Sequence, residues 1–157
     1  MEGIIRKALP AEADTLSDIA FRSKAYWGYD SAYMLLAKND LTIKVENISG
    51  SWVFVIEAQN RIKGFYELRG SSNDEAELCW LFVDPNAIKS GYGKRLMKHA
   101  IQVAMDNGFP YIRIKSDPNA VGFYEGFGAV VIGEASSTVR PDWKLPIMRM
   151  HLKQTSR

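Results

Sequence analysis

The stretch that most constrains this chain runs over residues 75–104, EAELCWLFVDPNAIKSGYGKRLMKHAIQVA. Leu78–Val83 is an unbroken apolar run without polar alternation, the pattern of a central strand covered on both faces. Asp84-Pro85-Asn86 stops it, and Gly91 and Gly93 flank Tyr92 before a helix that the spacing opens at Lys94. Leu96, Met97, Ala100, Ile101, Val103 and Ala104 fall on one side of that helix. Arg95, Lys98, His99 and Gln102 fall towards solvent. A strand that passes through a glycine turn into a helix N-terminus presents free N–H groups and the positive end of the helix dipole to an anion.

The remaining chain supplies a single domain, expected over residues 1–153 with a tail at 154–157. Ile4–Ala8 reads as a strand, Asp14 to Ala25 as an amphipathic helix, and Ser31–Lys38 as a second helix capped by Asp30 or Ser31. Leu41–Glu46 is ambiguous between strand and helix end. Trp52–Ala58 and Arg61–Arg69 are β-rich and joined by Gln59-Asn60, a tight hairpin. Glu75–Val83 makes the third strand of the meander. Gly108 and Pro110 close the glycine-turn helix, and Tyr111–Lys115 is a strand. Asp117-Pro118 has the order of N-cap and first helical residue for a short helix over Asn119–Phe127. Ala129–Ile132 and Ile147–Leu152 complete the strands, leaving Ser136–Pro146 as a long loop with Arg140, Asp142 and Trp143. An antiparallel meander followed by βαβ gives a mixed sheet with helices on its faces, an α+β (α/β mixed) fold.

Composition narrows the function classes. A net charge of +2 gives no electrostatic argument for a nucleic-acid or membrane surface, and neither partner is expected. No run of about 18 apolar residues is present. The N-terminus MEGIIRKALP is too short and charged for a signal peptide, so a cytoplasmic protein is expected. Cys79 is the single cysteine and lies in the apolar strand, where it reads as core rather than as a nucleophile. His99 and His151 have no ligand company at metal spacing, and no metal is expected.

Val83-Asp84-Pro85-Asn86-Ala87-Ile88-Lys89-Ser90-Gly91-Tyr92-Gly93, with Asn119-Ala120-Val121-Gly122-Phe123-Tyr124 one helix and one strand later, resembles the two main motifs of the GNAT superfamily of acetyl-CoA-dependent N-acetyltransferases. The first is usually written R/Q-x-x-G-x-G/A. Both glycines match, whereas Ile88 and Lys89 depart from the leading Arg/Gln and the glycine often found after it. The resemblance spans nearly the whole chain and implies a GNAT-like fold with acetyl-CoA as cosubstrate. The backbone N–H groups of Lys89, Ser90, Gly91, Tyr92, Gly93 and Lys94 are expected to hold its pyrophosphate. Phe82 and Val83 are expected to pair with pantetheine as an added strand would, with Asn119 on the same arm and Phe123 beside it.

Acetyl transfer to an amine needs a base for the amine, a donor to the carbonyl oxygen and an acid for the thiolate. Glu77 opens the strand on the face of Cys79, Leu81 and Val83, and resembles the strand glutamate that serves as base in some relatives. From the residues alone it is equally a solvated carboxylate beside Glu75. Tyr124 matches the family tyrosine that acts as general acid; without the motif it reads as a packed aromatic. In this fold the segment between the first two helices lines the acceptor site. That makes Trp27 and Tyr29 an aromatic wall and Asp30 a partner for a cationic amine, or else packing at a helix junction. The implied acceptor is a primary amine on a small molecule, and a homodimer is expected because family members often pair. The alternative reading is a non-catalytic acyl-CoA-binding module. A different nucleotide-binding protein fits less well, because the turn lacks the G-K-[ST] ending of a phosphate loop.

Overall fold

The computed structural model describes residues 3–72 and 74–152, so the expected tail at 154–157 lies outside the described residues. The strands are β1 (Ile4–Lys7), β2 (Trp52–Ala58), β3 (Arg61–Gly70), β4 (Glu75–Val83), β5 (Tyr111–Lys115), β6 (Val130–Ser136) and β7 (Lys144–His151). The α-helices are α1 (Ala13–Ala25), α2 (Ser31–Ala37), α3 (Val45–Gly50), α4 (Tyr92–Asp106) and α5 (Val121–Glu125). The strands form one mixed sheet in the order β1-β2-β3-β4-β5-β7-β6, the expected meander followed by a parallel β4–β5 pair. Among the described residues no helix is long and apolar enough to cross a membrane.

The chain divides into two compact units, with β3 and β4 contributing to each. The first comprises Met1–Glu67 and Trp80–His99. Its buried side chains include Leu16, Ile19 and Ala20 of α1, Val53, Val55 and Ile56 of β2, Phe65 and Tyr66 of β3, and Leu96 and Met97 of α4. The 3.6-residue stripe of α1 and the apolar face of α4 are therefore the faces that bury. Two α4 residues assigned to solvent are tucked in instead. The Arg95 Nη2 donates to the Gly3 carbonyl at 2.8 Å, and His99 Nδ1 lies 2.7 Å from the Tyr66 hydroxyl with its ring 4.6 Å from that of Phe54. Burial pushes the Tyr66 phenol up and the His99 imidazole down, so a neutral imidazole accepting from the phenol suits both groups.

The ambiguous segment resolves as neither strand nor the end of α2. Asn47 Oδ1 accepts from the Lys44 N–H at 2.9 Å, Ile48 turns inward, and a third helix, α3, forms. That side-chain-to-backbone bond competes with strand formation and wins locally.

The second unit comprises Leu68–Cys79 and Ala100–Arg157. Its ladders fix the two sheet faces. Ala76, Ile112 and Met150 are register partners in turn, as are Leu78, Ile114 and Met148, and all six are buried. The Asp117 cap forms as expected, its Oδ1 accepting from the Asn119 N–H at 2.8 Å. The helix is split, however, into a 3-10 turn over Pro118–Ala120 and the short α5. β6 and β7 pair from Val130↔Arg149 to Ser136↔Lys144 with a bulge between Val131 and Gly133, so both strands are longer than their apolar patterns suggested. The loop expected over Ser136–Pro146 shrinks to residues 137–143, because backbone pairing carries polar strand ends that hydrophobicity does not mark.

Gly64 is the tightest backbone position on β3. A Cβ there would lie 2.7 Å from the Phe82 carbonyl oxygen and 3.3 Å from the Val83 Cα, both backbone atoms of β4. Gly64→Ala is expected to destabilise by about 1–3 kcal/mol and lower Tm by several degrees, with the end of β4 displaced. A thermal melt unchanged from the parent would show that no such contact exists.

Candidate active site

Burial along β4 alternates only at first. Ala76 and Leu78 are buried between half-buried neighbours, after which Cys79–Val83 are all half-buried. The expectation of a strand covered on both faces therefore fails at its C-terminal half. The described ladder with β5 joins Glu75–Leu78 to Tyr111–Ile114, and β4 extends five residues past it.

The turn after β4 is anchored at Asp84. Its N–H donates to the Lys63 carbonyl at 2.8 Å, its Oδ1 accepts from Asn86 N–H at 2.9 Å, and its carbonyl accepts from Ala87 N–H at 2.8 Å. Arg22, near the end of α1, grips both carboxylate oxygens with Nη1 and Nη2 at 2.9 Å each. The guanidinium holds the Asp84 carboxyl below its ordinary range, its hydrogen bonds outweighing the opposing effect of burial. Beyond the 3-10 turn Pro85–Ala87, Lys89 and Gly91 adopt left-handed φ values of 72° and 82° on either side of Ser90. Ser90 N–H still bonds back to Ala87 O at 3.3 Å.

Helix α4 begins at Tyr92, two residues before the spacing placed it, so Gly93 lies inside its first turn and the special backbone falls on Lys89 instead. The first N–H groups of a helix have no carbonyl four residues back. Left-handed residues running into such an end form a concave donor surface suited to phosphate oxygens. The donors are backbone groups, so half-buried Ile88 in the family's Arg/Gln position removes none of them.

In the second unit, Glu77 is half-buried and its Oε1 lies 4.0 Å from Arg69 Nη2, while the neighbouring Glu75 bonds Arg149 Nε and Nη2 at 3.1 Å. The two carboxylates are thus not equivalent. Tyr124 is buried, and desolvation, with the Asp117 charge adding to it, pushes its phenol well above the ordinary value. Phe123 packs edge-on against it at 5.2 Å. Asn119 is exposed and turns its Nδ2 onto Asp117 Oδ1 at 2.9 Å.

The aromatic segment of the first unit is divided in role. Trp27 is about half exposed and meets Tyr26 edge-on. Tyr29 stacks on Tyr33 at 4.4 Å under the Lys24 ammonium. Asp30 is the N-cap of α2, accepting from the Tyr33 N–H at 2.8 Å. In the second unit, Arg140 stacks on Trp143 at 4.6 Å and organises the shortened loop. A cleft of about 550 Å³ in the first unit is walled by ion pairs, Arg6 with Glu12 and Glu57 and Arg22 with Asp84. None of the expected site residues lines it.

A family model described as acetyltransferase (GNAT) family matches residues 14–129, more than half of the chain. A "5-NmdU N-acetyltransferase" of Pseudomonas phage PaMx11 is 26% identical over 133 residues, covering 84% of this chain and 90% of that protein. Among solved structures, the PaiA N-acetyltransferase of Thermoplasma acidophilum in complex with coenzyme A superposes with a TM-score of 0.80 at 21% identity, over 96% of this chain and 99% of the other. A GCN5-related N-acetyltransferase of Rhodopseudomonas palustris gives 0.81 at 20% identity, over 97% of each. These structural likenesses establish the fold.

Arg22→Met is expected to cost about 1–2 kcal/mol at neutral pH, since the Arg22 side chain is 37% exposed and part of its pairing is screened. Asp84 has a depressed folded pKa, so its contribution is complete above the ordinary value of 3.8 and lost as pH falls through the lower folded value. Denaturant unfolding of parent and variant across pH should give a constant gap above about pH 5 that closes in acid. A gap independent of pH would remove this role.

Proposed function

The chain belongs to the GNAT acetyltransferase family, and on that premise we propose that it moves the acetyl group of acetyl-CoA to a primary amine. The observation that carries this reading is the backbone of residues 89–94, where left-handed Lys89 and Gly91 lead into the first N–H groups of α4. Lys89, Ser90, Gly91, Tyr92, Gly93 and Lys94 are assigned to the pyrophosphate. Phe82 and Val83, on the part of β4 beyond its ladder with β5, are assigned to pantetheine as an added strand. Asn119 and Phe123 are assigned to the same arm.

In the transfer the amine nitrogen attacks the thioester carbonyl carbon, a C–N bond forms and the C–S bond breaks. Glu77 takes the proton from the attacking amine, directly or through one water, and the Tyr124 hydroxyl gives its proton to the departing thiolate. Both groups then exchange protons with solvent. Burial favours the protonated phenol, so Tyr124 keeps a hydrogen available to bond the developing thiolate sulfur as the C–S bond breaks. Trp27, Tyr29 and Asp30 are assigned to the acceptor. Tyr29 and Asp30 also hold the start of α2, so a substitution at either alters the segment's shape as well. The acceptor named for the phage relative, 5-NmdU, is the first compound to try.

Tyr124→Phe is expected to lower kcat about a hundredfold while leaving the acetyl-CoA dissociation constant nearly unchanged, read by thiol release and calorimetry. An unchanged kcat would remove the acid role. The second reading, a non-catalytic acyl-CoA-binding module, is motivated by Ile88 and predicts coenzyme binding with no transfer over a broad panel of amines.

A further inference from the structure

The open face of β4, β5 and β7 in the second unit carries a charge and ring pattern that the transfer chemistry alone does not need. The ladders place Glu77, Arg113, Arg149 and Val130 side by side as one row across β4, β5, β7 and β6. Glu75, Tyr111 and His151 form the neighbouring row. Strand pleating sends these positions to the face opposite buried Ile112, Ile114, Met148 and Met150. Lys115 extends the same face, and Arg69 reaches into it at Glu77.

Four cations, Arg69, Arg113, Lys115 and Arg149, thus surround two carboxylates. Glu75 is committed to Arg149, and Glu77 is 4.0 Å from Arg69. Among the described residues Arg113 and Lys115 make no side-chain ion pair. The rings of Tyr111 and His151 lie 5.1 Å apart at 31°, and the Arg149 guanidinium stands over Tyr111 at 4.7 Å. His151 is exposed and Tyr111 half-buried. Cations alone suit any anion, but cations beside a tilted pair of neighbouring rings suit a ligand that joins phosphate to a flat heterocycle. Successive same-face positions on a strand are about 7 Å apart, so one nucleotide reaches from one row to the other.

We propose that the acceptor amine is carried by a nucleotide, with its phosphate held by Arg113, Lys115 and Arg149 and its ring set against Tyr111 and His151, so that the amine is presented at Glu77. This rests on the reading of Glu77 as the base. An acidic peptide would use the cations and leave the ring pair without a role. The overall charge of +2 concealed this face because the sum over a chain does not report how charges are placed.

The test begins with binding. A labelled single-stranded oligonucleotide is titrated with the whole protein and read by fluorescence anisotropy across a range of salt. The affinity is expected to fall as salt rises. Arg113→Gln and Lys115→Gln should each weaken it about five- to tenfold at low salt and flatten the salt slope by about one. Lys98→Gln, which removes an exposed cation of α4 in the first unit, should do neither. An equal effect at Lys98, or no low-salt binding by the parent protein of either the oligonucleotide or the nucleoside monophosphate, overturns the proposal. Calorimetry with acetyl-CoA checks that each variant is folded.

The second arm compares acetyl transfer to an aminomethyl-pyrimidine nucleoside, its monophosphate, and a single-stranded oligonucleotide containing that base. A kcat/KM at least about tenfold higher for either phosphate-bearing form supports the proposal, and the better of the two names its source. Equal values for the nucleoside and both phosphate forms overturn it. If the protein binds the oligonucleotide in the predicted way but not acetyl-CoA, the transferase reading fails while the nucleotide face stands.

Discussion

The bidentate bond between Arg22 and Asp84 is the interaction on which the candidate coenzyme turn depends. Asp84 receives Arg22 from α1, caps the 3-10 turn that follows, and bonds through its backbone to Lys63 of β3. A turn with two left-handed residues stores conformational cost at Lys89 in particular, where a side chain is present. It persists because both ends are fixed, one by this cluster and the other by the first turn of α4. The geometry of the candidate turn and local stability therefore meet at the same carboxylate, which the Arg22 guanidinium holds in its charged form.

Polar contacts that bridge distant positions recur through the first unit. Arg6 ties β1 to Glu12 and to Glu57 of β2, and Arg95 ties α4 to Gly3. Each guanidinium has several donors in a rigid fork, which lets one side chain satisfy two partners and set an angle between elements. The second unit uses the same chemistry differently. Arg113 and Arg149 lie side by side in one row of a sheet face, Arg149 over the Tyr111 ring.

Much of the fold was legible because its signals are local. The run Leu78–Val83, the Asp117-Pro118 cap, the Gln59-Asn60 hairpin with both residues at positive φ, and the stripe of α1 follow from neighbouring residues. The misreadings have different causes. Whether Lys44 begins a helix depends on where the Asn47 amide points, and whether His99 faces solvent depends on Tyr66, far away in sequence. The ends of β6 and β7 were missed because polar residues there pair through backbone, which leaves no hydrophobic trace.

The sequence by itself determined the family, the position of the glycine turn, and the identities of the residues assigned to coenzyme and catalysis, since these rest on residue types at fixed spacing along the chain. Only the tertiary structure decided that Lys89 shares the left-handed geometry with Gly91, and that Arg22 anchors Asp84. It alone put Arg113 and Arg149 in one row with Glu77. Those facts depend on ladder register and on contacts between residues far apart in the chain. The free energy that fixes them comes from packing and hydrogen bonds formed only when distant segments meet.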